Sequence, residues 1–133
     1  MHHPVHTFAT NAELSQELAG RIAADLAAAL AQRKRAILAV SGGSTPRPLF
    51  EALSLQPLQW SRVIVTQVDE RWVEDDHVDS NARLIKQYLL QNRAAAAEFL
   101  AMKTPDVSPF AAEAAVSAKL APCAEVIDVV VLG

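Results

Sequence analysis

Two short apolar runs, Ala36–Val40 and residues 63–68, constrain this chain more than any other feature in it. Neither shows the polar alternation of a half-exposed strand, so both read as strands buried on two faces. Such strands belong to parallel sheets, whose crossovers carry helices. Ahead of the first run, Leu14, Leu18, Ile22, Leu26 and Leu30 recur every four residues, an amphipathic helix with Thr10 and Glu13 at capping-box spacing. After it, Thr45 suits an N-cap and Pro46 a first helical position. The second run leads into a charged loop over 69–79, then a helix over 81–91 with Ser80 as cap. A short strand over 98–102, a helix over 108–121 and a buried β-branched strand over 126–132 complete the alternation. The predicted fold class is α/β: a three-layer, Rossmann-like parallel sheet with right-handed crossovers and helices on both faces.

At 133 residues, 51% of them hydrophobic and 20% charged, the chain has the size and balance of one globular domain. A net charge of −3 argues against nucleic acid or anionic membrane as a bulk partner, while leaving room for a small anion at a local site. Cys123 is the single cysteine, which excludes an internal disulfide. The first residues lack a basic segment followed by an apolar core, and the Ala-rich stretch 18–31 carries Arg21 and Asp25. These features predict no secretory signal and no membrane span, and hence a cytoplasmic, enzyme-like domain.

Chemistry concentrates after the two strands. Segment 41–46 reads Ser-Gly-Gly-Ser-Thr-Pro. Two glycines let successive N–H groups converge on an anion, and the hydroxyls of Ser44 and Thr45 and a helix N-terminus add to the attraction. The spacing is not that of a Walker A loop, and a ligand-free tight turn is the plainer alternative. The second segment, Asp69-Glu70-Arg71, places a carboxylate and a guanidinium at the end of the second strand. If it stays extended, Asp69 and Arg71 share a face and Glu70 points away. A guanidinium suits phosphate or carboxylate; a surface ion-pair cluster is the alternative. His77, Ser80 and Asn81 follow as candidate loop contacts, with His77 as a solvated loop residue and Ser80 as a helix cap the simpler readings. Trp60 and Trp72 read as packing residues. No His, Cys and carboxylate set has metal-ligand spacing.

Taken together, AILAVSGGSTPRPLFEAL, VIVTQVDERWV, His77 and the run Ser80-Asn81-Ala82-Arg83 resemble the 6-phosphogluconolactonases, which share a fold with the glucosamine-6-phosphate isomerases and deaminases. Arg71 favours the lactonase side, since the sister isomerases resemble Asp-Glu-Tyr there. The resemblance implies that Gly42, Gly43, Ser44 and Thr45 cradle a sugar 6-phosphate. Arg71 would contact that phosphate or the substrate, and Asp69 would line the reaction centre. The implied reaction is hydrolysis of 6-phospho-D-glucono-1,5-lactone to 6-phosphogluconate in the pentose phosphate pathway. The implied partner is a phosphorylated sugar lactone, with no metal or organic cofactor.

The chain also departs from the pattern. The base implied by the resemblance is a histidine in a Gly-x-Gly-x-Asp-Gly-His type segment after the strand that ends at Gly133, and no such segment is present. A further basic residue for the phosphate is absent too. Residues 1–133 are therefore expected to be the N-terminal part of a longer single domain, truncated after a buried strand and inactive alone. Rival readings are a glucosamine-6-phosphate isomerase or deaminase with Asp69 as its carboxylate, and a non-catalytic sugar-phosphate-binding module.

Overall fold

The computed structural model describes residues 10–43, 45–104, 108–121 and 126–132. Helix α1 (Asn11–Gln32) starts at Thr10, whose hydroxyl accepts the N–H of Glu13 at 3.1 Å, so the predicted cap forms. It buries Ala19, Ile22, Ala23, Leu26, Ala29 and Leu30, whereas Leu14 and Leu18 remain 41% and 37% exposed. A stripe of every fourth residue drifts by about 40° per step around a helix of about 3.6 residues per turn. The leucines alone thus leave the buried face, and the alanines between them complete it.

Strands β1 (Ala36–Val40) and β2 (Val63–Gln67) pair in parallel from Ala36↔Val63 to Val40↔Gln67. Strand β3 (Glu98–Leu100) lies outside β2 and β4 (Val129–Val131) outside β1, both parallel, giving the order β3-β2-β1-β4. The crossovers carry α2 (Arg47–Ser54), α3 (Asn81–Tyr88) and α4 (Glu113–Lys119). The α/β parallel architecture is as predicted.

On one face Leu38, Val40, Val63 and Val65 pack with Leu26 of α1, Phe50 and Leu53 of α2 and Ile85 of α3. On the other, Ile37 and Ile64 pack with Leu100. There Val116 of α4 and Leu120 just after it border a groove of about 560 Å³ with Ala39, Thr66 and Val130. Three layers result, the second helical layer being thin because α4 buries none of its residues.

Element ends differ from expectation. Helix α3 stops at Tyr88, where the N–H groups of Leu89 and Leu90 both turn to the carbonyl of Ile85. The predicted helix over 108–121 is helical only over Glu113–Lys119, with no side-chain cap at Ala112. The strand predicted as buried over 126–132 is a shorter edge strand, with Val130 50% and Leu132 74% exposed. It pairs with β1 on one side and has no strand on the other among the described residues. Asp128 secures its entry: the carboxylate accepts the N–H of Ile37 at 2.8 Å and pairs with Arg33. Among the described residues no helix is long and apolar enough to cross a membrane.

Candidate active site

Parallel register sets the ends of β1 and β2 side by side: Val40 lies opposite Gln67, and the N–H of Val68 donates to the carbonyl of Val40 at 2.9 Å. The glycine turn and the Asp-Glu-Arg segment therefore leave the sheet at neighbouring points on its carboxyl edge, where open α/β sheets bind their ligands.

The two glycines serve different ends. Gly43 has φ of 99°, a region closed to most side chains. Gly42 is needed for closeness, since a Cβ there would lie 2.0 Å from Oδ1 and 2.9 Å from Cβ of Asn81. Neither glycine N–H is engaged by a described residue. Ser44 lies outside the described residues.

Thr45 is exposed in the turn and is not the N-cap. Pro46, at φ −81° and ψ −1°, already takes the helical conformation and occupies the cap position without a side-chain acceptor. The starts of α1 and α3 are closed by hydroxyls, whereas α2 begins without a side-chain cap beside the glycine turn.

At the end of β2 the chain turns after Gln67, so the strict side-chain alternation assumed for 69–71 does not hold. Asp69 is exposed, and both its Oδ1 and its carbonyl accept from the Asn81 amide at 3.2 Å. Arg71 is exposed, and among the described residues its guanidinium has no partner. The Glu70 carboxylate reaches the start of α3. Its Oε1 accepts the N–H groups of Arg71 (2.8 Å) and Asn81 (2.7 Å), and its Oε2 accepts that of Ala82 (2.9 Å) and the side-chain amide of Gln67 (2.7 Å).

Ser80 is buried, and its hydroxyl accepts the N–H of Arg83 at 3.2 Å, the predicted cap. Asn81 is also buried, bridging the two segments of the site: Asp69 on one side and Gly42 on the other. His77 is exposed and shapes the loop into α3. Its Nδ1 accepts the N–H of Asp79 at 3.0 Å, and its carbonyl accepts that of Ser80 at 3.0 Å. No described contact joins it to Gly42, Asp69 or Arg71. Trp60 is buried and donates its indole N–H to Gln56, while the Nζ of Lys103 stands 5.5 Å from the centre of the Trp72 ring.

Sequence reasoning missed Glu70 and Gln67 as organisers of this edge. Gln67 is 4% exposed, and its second amide atom accepts the N–H of Met102 at 2.7 Å. Two signals pointed to them. An amide ends an otherwise apolar strand, and the first turn of α3 has no acidic residue to meet its N–H groups. Among the described residues no group of three or more His, Cys, Asp or Glu is placed to hold a metal ion. Among the described residues the arrangement offers unengaged backbone donors, an unpaired guanidinium and an oriented carboxylate on one edge, a set suited to an anionic ligand with a polar reacting group.

The chain is similar to known proteins along most of its length. The 6-phosphogluconolactonase of Pseudomonas aeruginosa is 43% identical over 122 residues, covering 92% of this chain and 51% of that protein. That of Rhizobium meliloti is 44% identical over 129 residues, covering 97% and 56%. The crystal structure of a 6-phosphogluconolactonase from Shewanella baltica, 44% identical, superposes with a TM-score of 0.92 over 95% of this chain and 54% of that one. The chain thus spans about half the length of the curated relatives it matches. Residues 9–133 match the family described as glucosamine-6-phosphate isomerases/6-phosphogluconolactonase, and the chain belongs to that family.

Proposed function

We propose that this chain is the N-terminal part of a cytoplasmic enzyme hydrolysing 6-phospho-D-glucono-1,5-lactone to 6-phosphogluconate in the pentose phosphate pathway. The observation that carries the reading is Asn81, which touches Gly42 and holds Asp69, joining the glycine turn and the Asp-Glu-Arg segment into one site. The identity with lactonases along nearly the whole chain supports the same substrate.

In this reading the N–H groups of Gly42 and Gly43, the hydroxyls of Ser44 and Thr45, and Arg71 hold the 6-phosphate. Phosphate binding away from the carbonyl positions the lactone for reaction. Water adds to the lactone carbonyl, the acyl C–O bond breaks, and the ring oxygen leaves with a proton as the C5 hydroxyl. Asp69, held by Asn81, lines the reaction centre. The water-activating histidine implied by the family resemblance has no counterpart in residues 1–133, and we place it in the portion that the relatives possess beyond the matched region.

The test follows 6-phosphogluconate release against spontaneous lactone hydrolysis, using the full protein and residues 1–133 separately. The full protein should far exceed the spontaneous rate, and residues 1–133 should stay near it. A full protein no faster than background removes the lactonase reading, and ammonia release from glucosamine 6-phosphate moves it to the sister reaction. Rapid turnover by residues 1–133 alone overturns the placement of the base.

A further inference from the structure

We infer that Glu70 is a positioning residue for this site, setting Asp69, Arg71 and Gly42 in register without itself meeting the substrate; the inference rests on the lactonase reading. Its carboxylate takes four N–H donors from three directions: Gln67 on β2, Arg71 on the outgoing chain, and Asn81 and Ala82 at the start of α3. The hydroxyl of Ser80 adds a long contact at 3.4 Å.

Two of these bonds fix residues of the site, Arg71 and Asn81. The bond to Arg71 sets the backbone from which its guanidinium projects. That to Asn81 sets the residue whose amide holds Asp69 at 3.2 Å and whose side chain fills the space beside Gly42. Through Gln67 the same carboxylate is tied to Met102 beyond β3. A helix cap needs only one or two of these bonds; those to Gln67 and Arg71 tie the end of β2 and the outgoing chain to the helix start.

Glutamine in place of Glu70 would set an NH₂ group against N–H groups that need an acceptor. The site would then loosen while α3 keeps its Ser80 cap. Misplacing a catalytic group by an ångström costs about 10²-fold in rate.

The experiment compares the full wild-type protein with Glu70→Gln and with Leu26→Ala, a buried core change in α1 outside the hydrogen-bond network of Glu70. At a temperature where circular dichroism shows all three folded, Glu70→Gln should lower kcat/KM about 30–100-fold. Leu26→Ala, with an equal or larger loss of Tm, should stay within about threefold of wild type. A Glu70→Gln enzyme within about threefold of wild type, or falling no further than Leu26→Ala, overturns the inference.

If Glu70→Gln does not fold, Asn81→Ala removes the side chain through which the network reaches Asp69 and Gly42. It should lower kcat at least tenfold with KM changed less than about threefold, and an unchanged kcat overturns the inference. If wild type hydrolyses no lactone, the functional reading fails separately. Inorganic phosphate, read at the Gly42 and Gly43 amides by NMR, then tests positioning. Binding weakened about tenfold or more in Glu70→Gln supports it; equal binding, or none in either protein, overturns it.

Discussion

Gly42 and Gly43 stand together in sequence but answer to different constraints, and substitution separates them. Alanine at Gly42 drives a methyl group into Asn81, down to that residue's own Cβ at 2.9 Å, so rotation of the amide does not relieve the clash. Gly42→Ala should cost about 1–3 kcal/mol in urea denaturation and displace Asn81 from Asp69. Gly43→Ala meets open space and carries only the backbone penalty of φ 99°, about 1–2 kcal/mol. Equal activity in the two variants would contradict the assignment of Gly42 to close packing. The sequence made both glycines visible because a glycine pair after a strand marks a turn. It did not show why Gly42 is one, since Asn81 arrives through α3 and only tertiary structure brings them together. Glu70 was hidden for a related reason. An alternation rule for strands assigned it outward, whereas the chain had already left the strand at Gln67.

Among the elements, β1 and β2 were legible because a strand buried on both faces lacks polar alternation and reads as a mainly apolar run. Their neighbours were less so. Strands β3 and β4 and helix α4 are short and partly exposed, and propensity alone does not say where such segments end. The site depends on two element-level anchors. Phe50, fully buried, ties α2 and hence the glycine turn to the sheet. Phe50→Ala should cost about 3–5 kcal/mol by chemical denaturation, and a loss under about 1 kcal/mol would show the turn to be held by other means. Asp128 joins β4 to β1 by accepting from Ile37, whose N–H would otherwise lose its partner. Asp128→Ala should cost about 1–3 kcal/mol and speed hydrogen exchange at Ile37. Unchanged exchange there would contradict that role.

For the molecule as a whole, the central claim is that the turn after β1 and the segment after β2 form one sugar-phosphate site, with Arg71 as its exposed cation. The parallel topology that adjoins them was readable from the strand and helix alternation; the hydrogen bonds that lock them together were not. The most direct measurement is the preference of the full protein for 6-phosphogluconolactone over unphosphorylated gluconolactone, before and after Arg71→Ala. A charge-assisted contact worth about 1.5–3 kcal/mol corresponds to roughly a 10- to 150-fold change. The account predicts that Arg71→Ala lowers kcat/KM for the phosphorylated lactone by that factor and leaves the unphosphorylated one nearly unchanged. An equal effect on both substrates, or none on either, would contradict it.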